Sequence, residues 1–177
     1  MKSKILLTVF LLLSVVITAQ ENVSENEEEN RHSIGVLIGH SAVLQGVKDG
    51  ERQSIYVPAF ALQYNYAIAE KFALGLHLDT FIETFTIKKS GGTEIERERP
   101  VATTIVGSYE FARRFAFILG GGVEWEKNEN FGLLRFGLDY THPLGENGFE
   151  FVSTLNSDIL FGGYNTINLA VGVAKTF

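Results

Sequence analysis

The chain has 177 residues, with 15 lysines and arginines against 21 aspartates and glutamates, four histidines and no cysteine. That length implies one domain, the missing cysteine excludes a disulfide framework, and the acidic balance argues against nucleic acid as a partner. Past the first twenty residues there is no run of about 20 apolar residues, so spanning a membrane by helices is excluded.

The chain opens with Lys2 and Lys4, an apolar run over residues 5–16 and the small-residue site Ile17-Thr18-Ala19. This is the pattern of a secretory signal peptide over residues 1–19, cleaved after Ala19. No cysteine follows, so lipoprotein processing is excluded. Residues 20–30 carry Glu21, Glu25, Glu27, Glu28 and Glu29 with almost no apolar partner, and read as an acidic disordered periplasmic tail. Residues 31–177 then hold 13 basic and 16 acidic side chains, close to balance.

From residue 31 the pattern is strand, connection, strand, eight times. Residues 32–43 set Ile34, Val36 and Ile38 against Gly35 and Gly39, and Asp49-Gly50 in the connection that follows is a hairpin-turn pair. Residues 54–68 point Tyr56, Phe60, Leu62, Tyr64 and Tyr66 one way and Ala59, Ala61, Gln63 and Asn65 the other. Glu70 and Lys71 make a tight turn. The third strand, 72–87, opposes Leu74, Leu76, Leu78 and Ile82 to Gly75, His77, Asp79 and Glu83. After Gly91-Gly92, the charged stretch 93–99 extends the ribbon to Pro100. The fourth strand, 101–111, alternates Val101, Ile105, Tyr109 and Phe111 with Ala102, Thr104, Ser108 and Glu110, and Arg113-Arg114 is a second tight turn. The fifth, 115–126, sets Phe117, Leu119, Val123 and Trp125 against Ala116, Gly120, Gly122 and Glu124. The sixth sets Leu134, Phe136, Leu138 and Tyr140 against Arg135, Gly137 and Asp139. The seventh, 149–161, opposes Phe151, Leu155 and Ile159 to Glu150, Thr154, Asn156 and Asp158. The last, 164–177, opposes Ile167, Leu169, Val171 and Val173 to Thr166, Asn168, Ala170 and Gly172.

Period-two alternation places the two sets of each strand on opposite faces. One face is large and apolar. The other is mostly glycine, alanine, serine, threonine and asparagine, which is too small and uncharged for the outside of a soluble barrel. It does suit the lumen of eight strands, which side chains alone can fill. Aromatic residues gather near the strand ends, with Tyr56, Trp125, Phe131, Phe161 and Tyr164 on the side of the longer loops. The expected fold is all-β: an eight-stranded antiparallel up-and-down transmembrane β-barrel over residues 31–177. Short turns would face the periplasm and longer loops the exterior.

The closing strand and the hairpin alternation resemble the OmpA/OmpX-type small outer-membrane barrels. That resemblance implies a Gram-negative cell outer membrane as the location, membrane lipid as the surroundings, and recognition by the barrel-assembly machinery through the C-terminal strand. It also implies that Phe177 and Gly172 form part of the insertion signal. Lys175 departs from the pattern, where an aromatic or aliphatic residue is usual.

Arg135 is the one basic residue at an inward strand position, so it needs carboxylate partners. Depth counted from the turns names Glu124 and Asp79 first, with Glu110 and Asp139 as alternatives. The structural reading is an ion-pair network that plugs the barrel; a gate in a narrow pore is the sharper one. Catalysis is not expected: His40 and Ser41 are adjacent and therefore point to opposite faces, as do His32 and Ser33, which denies a hydroxyl nucleophile its base. Four scattered histidines without cysteine suggest no metal site, and no cofactor is expected. Residues 84–87 and 93–99 could project as a ribbon toward an extracellular partner by β-augmentation, or simply be a solvated hairpin. The expected function is a monomeric structural or surface-interaction (adhesin-like) barrel with a filled interior; the alternative is a low-conductance pore.

Overall fold

A computed structural model describes residues 31–89 and 91–177; the signal peptide and the acidic tail lie outside the described residues. Ten strands follow in order: β1 His32–Lys48, β2 Glu51–Ala69, β3 Phe72–Phe81, β4 Thr84–Lys88, β5 Glu94–Glu98, β6 Val101–Ala112, β7 Phe115–Trp125, β8 Phe131–Pro143, β9 Phe149–Leu160 and β10 Asn165–Thr176. Eight of them form the wall, in the order β1, β2, β3, β6, β7, β8, β9, β10, every pair antiparallel between chain neighbours. The pairing of β1 with β10, from Ser33 opposite Thr176 to Val43 opposite Thr166, closes the barrel. Closure leaves the wall without an edge in lipid, where each unpaired backbone group would cost several kcal/mol.

The alternation read in the sequence sets the two surfaces. Leu119, Ile105, Val36 and Leu169 stand outward and are more than half exposed, and Phe60, Leu74, Phe117, Phe136 and Val173 continue the same apolar belt. Gln63, His77, Thr104, Thr154 and Asn156 stand inward and are buried. This is a protein turned inside out relative to a water-soluble domain, a surface matched to lipid. Both termini of the barrel lie at the end with the short turns, where Phe177 and His32 exchange backbone hydrogen bonds of 2.8 and 3.0 Å.

Glycine is required at the closure seam. A Cβ on Gly172 would sit 2.0 Å from the Val36 carbonyl oxygen and 2.7 Å from Leu37 Cα. The β1–β2 turn is made by Asp49 and Gly50, both at positive φ (57° and 80°), as a two-residue hairpin turn of the primed type needs.

Three expectations change. The first strand does not stop near Val43: past a register shift between Val43 and Gly46 it continues to Lys48, paired with β2, so the β1–β2 ribbon rises beyond the wall. The third strand does not run straight to residue 87. It leaves the wall after Phe81, where Ile82 N–H donates to the Pro58 carbonyl at 3.0 Å, and Pro58 has no N–H to return. The ribbon of β4 and β5 then folds inward across the mouth rather than projecting from it, and Ile87 of β4 pairs with Gly46 of β1 above the point where β10 stops. On the return side, Arg99 adopts φ 45° just before the buried Pro100, which turns the chain back into the wall.

The inward fold has a plain cause. Phe85 and Ile87 have the inward parity of β3, and exposing them on a free ribbon would leave two large apolar side chains in water. Folded in, they are 6% and 0% exposed and pack on Val43, Val57, Phe131, Leu133, Leu160 and Tyr164. At roughly 1.5–3 kcal/mol for each fully buried apolar side chain, that outweighs the bends at either end. Phe131 and Tyr164 belong to this plug and not to the aromatic belt; Tyr56, Trp125 and Phe161 do face outward.

Candidate functional site: the plugged lumen

Two buried arginines organise the interior. Arg135, on β8, lies opposite Gly120 of β7 and Asp158 of β9. Its Nε and Nη2 donate to the two oxygens of Asp158, each at 2.7 Å, and its Nη1 crosses the lumen to Asp79 of β3 at 2.6 Å. This is the planar two-toothed grip that guanidinium and carboxylate make, and it ties three wall strands together. Asp158 is held in turn by Asn168 at 3.3 Å, which also donates to Asn156 at 2.6 Å.

Arg97, on β5, is the second. It is 0% exposed and reaches down from the cap into the mouth. Its Nη2 bonds the Glu124 carboxylate, its Nη1 contacts Glu126 at 3.3 Å and donates to the Glu129 carbonyl at 2.5 Å, and its guanidinium lies 4.6 Å from the centre of the Phe131 ring. Tyr164 O–H donates to the other oxygen of Glu124 at 2.6 Å. Outside this contact, Lys89 holds Glu129 at 2.7 Å and Lys127 pairs with Glu98.

The sequence-derived partners of Arg135 therefore divide. Asp79 is one of them. Glu124 is not, because Arg97 arrives from the cap and takes it. Glu110 is exposed at the turn end of β6, away from Arg135. Asp139 lies on the far side of Gly137 from Arg135 and faces Thr154 across β8–β9. Asp158, which shares inward parity with Arg135, is the partner that a depth count does not single out; its place directly opposite depends on the β8–β9 register. The sequence puts Arg97 in a solvated loop, and its burial overturns that. Phe85 and Ile87 are the available signal, since large apolar residues at lumen-facing parity ask for something to cover.

Beside Arg135 and Glu124 lies a cavity of about 30 Å³, lined in part by Ser41, Asp79, Glu124, Arg135, Asp158 and Thr166. That is room for about one or two waters. Toward the short turns a second apolar layer, Leu37, Ala61, Val152 and Ala174, fills the lumen, with His77 held at 3.1 Å from Asn65. His40 faces outward and Ser41 inward; His32 meets Tyr64 at 2.8 Å. Among the described residues no serine hydroxyl hydrogen-bonds to a histidine, and no group of three or more potential ligand side chains could hold a metal ion.

Gly172 sits at the seam. Phe177 is half exposed and stacks on His32 with 5.8 Å between ring centres.

No protein-family model and no curated protein matches the sequence. Solved structures do. The N-terminal β-barrel domain of Pseudomonas aeruginosa OprF is 10% identical with a TM-score of 0.52, over 84% of this chain and 99% of that one. Ail, the attachment invasion locus protein of Yersinia pestis, solved with the heparin analogue sucrose octasulfate, is 12% identical with a TM-score of 0.51, over 83% and 99%. Neisserial surface protein A is 8% identical with a TM-score of 0.51, over 82% and 97%. All three are small eight-stranded outer-membrane barrels. At such identities the likeness is one of fold: this chain has the architecture of the small outer-membrane barrels.

Proposed function

We propose that this chain is an integral protein of the Gram-negative outer membrane, a closed barrel that anchors and presents its capped end, in a structural or surface-interaction role. The short turns and termini face the periplasm and the cap faces outward. The observation that carries this reading is the filled lumen. Cap, Arg97 cluster, Arg135 cluster and lower apolar layer follow one another along the axis, with a cavity of about 30 Å³ beside Arg135 and Glu124. A low-conductance pore is the competing reading, and a lumen filled at four levels counts against it. Among the described residues no serine hydroxyl hydrogen-bonds to a histidine, so nothing there supports a catalytic reading. Ail was solved with a sulfated ligand; the loop end here carries seven basic against eight acidic residues, from Lys48 to Glu129, and this balance offers little attraction for a polyanion.

The test is direct. The mature protein, folded in detergent, should migrate differently on gels before and after boiling, and in planar bilayers it should show negligible conductance. A heat-insensitive soluble protein would remove the barrel; discrete openings in the wild type would replace the anchor with the pore.

A further inference from the structure

The Arg97 contact has a property the Arg135 cluster lacks: every group that holds the guanidinium belongs to the barrel, and none to the cap. Glu124 lies on β7, Glu126 and Glu129 on the β7–β8 loop, and Phe131 on β8, while Tyr164, just before β10, steadies Glu124. The loop has hydrogen bonds of its own as well as ties to the cap, where Asn128 Nδ2 donates to the Glu96 carbonyl at 2.9 Å. Asn128 N–H donates to Glu126 at 2.9 Å, and Glu126 N–H donates to the Asn130 side chain at 3.0 Å. Two carboxylates, a backbone carbonyl and an aromatic face around one planar cation are the chemistry that recognises a guanidinium group. Among the described residues, the cap that fills this pocket joins the wall ladder only at Gly46 opposite Ile87, and it leaves and re-enters the wall at bends, the second at Arg99 with φ 45°.

We infer that the barrel mouth is a guanidinium-binding pocket, filled at rest by the chain's own Arg97, and that an arginine side chain of a partner is the class of ligand it takes when the cap is displaced. The fit to Arg97 is incomplete: its Nε and the Oε1 of Glu126 are both buried without a hydrogen-bond partner. A guanidinium entering from another direction can use the Glu126 oxygen that Arg97 leaves idle. Without Arg97 the carboxylates of Glu124 and Glu126 have no guanidinium between them, and Lys89, 5.2 Å from the centre of the Phe131 ring, is already paired with Glu129; the pocket therefore favours a cationic guest, and its flat ring and forked acceptors favour a planar one over a compact ammonium. The partner part of this inference rests on the outward-facing cap proposed above, but the pocket itself does not.

The experiment is chemical rescue of the full mature chain in detergent. Arg97→Ala should lower the thermal midpoint of the folded-to-unfolded gel shift. Methylguanidinium should restore at least half of that loss in a saturable, dose-dependent way, whereas methylammonium at equal concentration should not. Arg97→Ala combined with Glu124→Gln should lose the rescue. Should Arg97→Ala fail to fold, folded yield with and without methylguanidinium takes the place of the midpoint, and an unrestored yield counts against the pocket. Equal effects of the two cations, or rescue that survives Glu124→Gln, would overturn the inference. Rescue is read in detergent, so it fails or succeeds whatever the orientation in the membrane. The proposed orientation has its own test, labelling of an introduced cysteine at Gly91 on intact cells.

Discussion

Replacing Arg135 by alanine is the most informative change in the wall. It removes three short hydrogen bonds at once, two to Asp158 and one to Asp79. It also leaves two carboxylates facing a lumen where Arg135 itself was 1% exposed. Breaking a buried pair by deleting one member costs about 3–5 kcal/mol, because the stranded charge keeps its desolvation cost and loses its compensation. With a urea dependence of about 1–3 kcal/mol per molar, the unfolding midpoint should fall by roughly 1–5 M. The assay is urea titration of the folded barrel followed by gel mobility, with exposed Arg52→Ala as the control. Asp158→Asn should cost more than Asp79→Asn, since Asp158 takes two of the three bonds and its side chain is 8% exposed against 22%. Combining Arg135→Met with Asp79→Asn and Asp158→Asn should recover most of the loss, because no charge is then left unpaired. If Arg135→Ala stays within about 1 kcal/mol of the wild type, the network does not hold the barrel together and the reasoning fails. Arg97→Ala belongs with Arg135→Ala and not with the surface control.

The closure seam gives a second prediction. Gly172→Val should reduce the folded fraction sharply, because any Cβ there meets the Val36 carbonyl at 2.0 Å, whereas Gly91→Val, with nothing within 4 Å, should fold normally. Deleting Phe177 should lower outer-membrane levels in cells while leaving refolding of the purified chain in detergent nearly unchanged; equal losses in both would assign Phe177 to the seam and not to an insertion signal.

The wall is legible because each strand carries its own evidence. In β10, Ile167, Leu169, Val171 and Val173 alternate with Thr166, Asn168, Ala170 and Gly172, and no other element is needed to decide which face meets lipid. The same logic places Arg135 inside with an acidic partner. It fails where position depends on a second element. Asp158 sits opposite Arg135 through the β8–β9 register, which a count of residues from each turn does not fix to one place. Glu124 is withdrawn from Arg135 by a residue of the cap. The cap is where sequence and structure part furthest: alternating Glu94, Glu96 and Glu98 look like a solvated ribbon, and they are indeed its exposed side. Its other side, Phe85 and Ile87 with Arg97 among them, meets a mouth that exists only once the barrel has closed. Tyr164 and Phe131 look like belt aromatics for a related reason, since being near a strand end says nothing of inside or outside without parity.

The two arginines also decide what a pore made from this barrel would pass. Around the mouth and upper lumen stand Asp79, Glu124, Glu126 and Asp158, against Arg97 and Arg135. Thr80 pairs with Val101 across β3–β6, so a two-residue Asn-Gly turn can replace the whole cap without opening the wall. That deletion takes away Arg97 and the apolar plug, but Arg135 still bridges the lumen from β8 to β3 and should keep conductance low. Arg135→Ala alone should conduct little, because the cap still covers the mouth. Both changes together leave four carboxylates with no buried cation, so the resulting current should be cation-selective, shown by the sign of the reversal potential in a salt gradient and by its loss at high ionic strength. Anion selectivity would contradict this account of the interior charge. A double variant as silent as either single one would put the effective plug lower, at Leu37 and Val152, and the arginines would then be ties across the lumen without being its barrier.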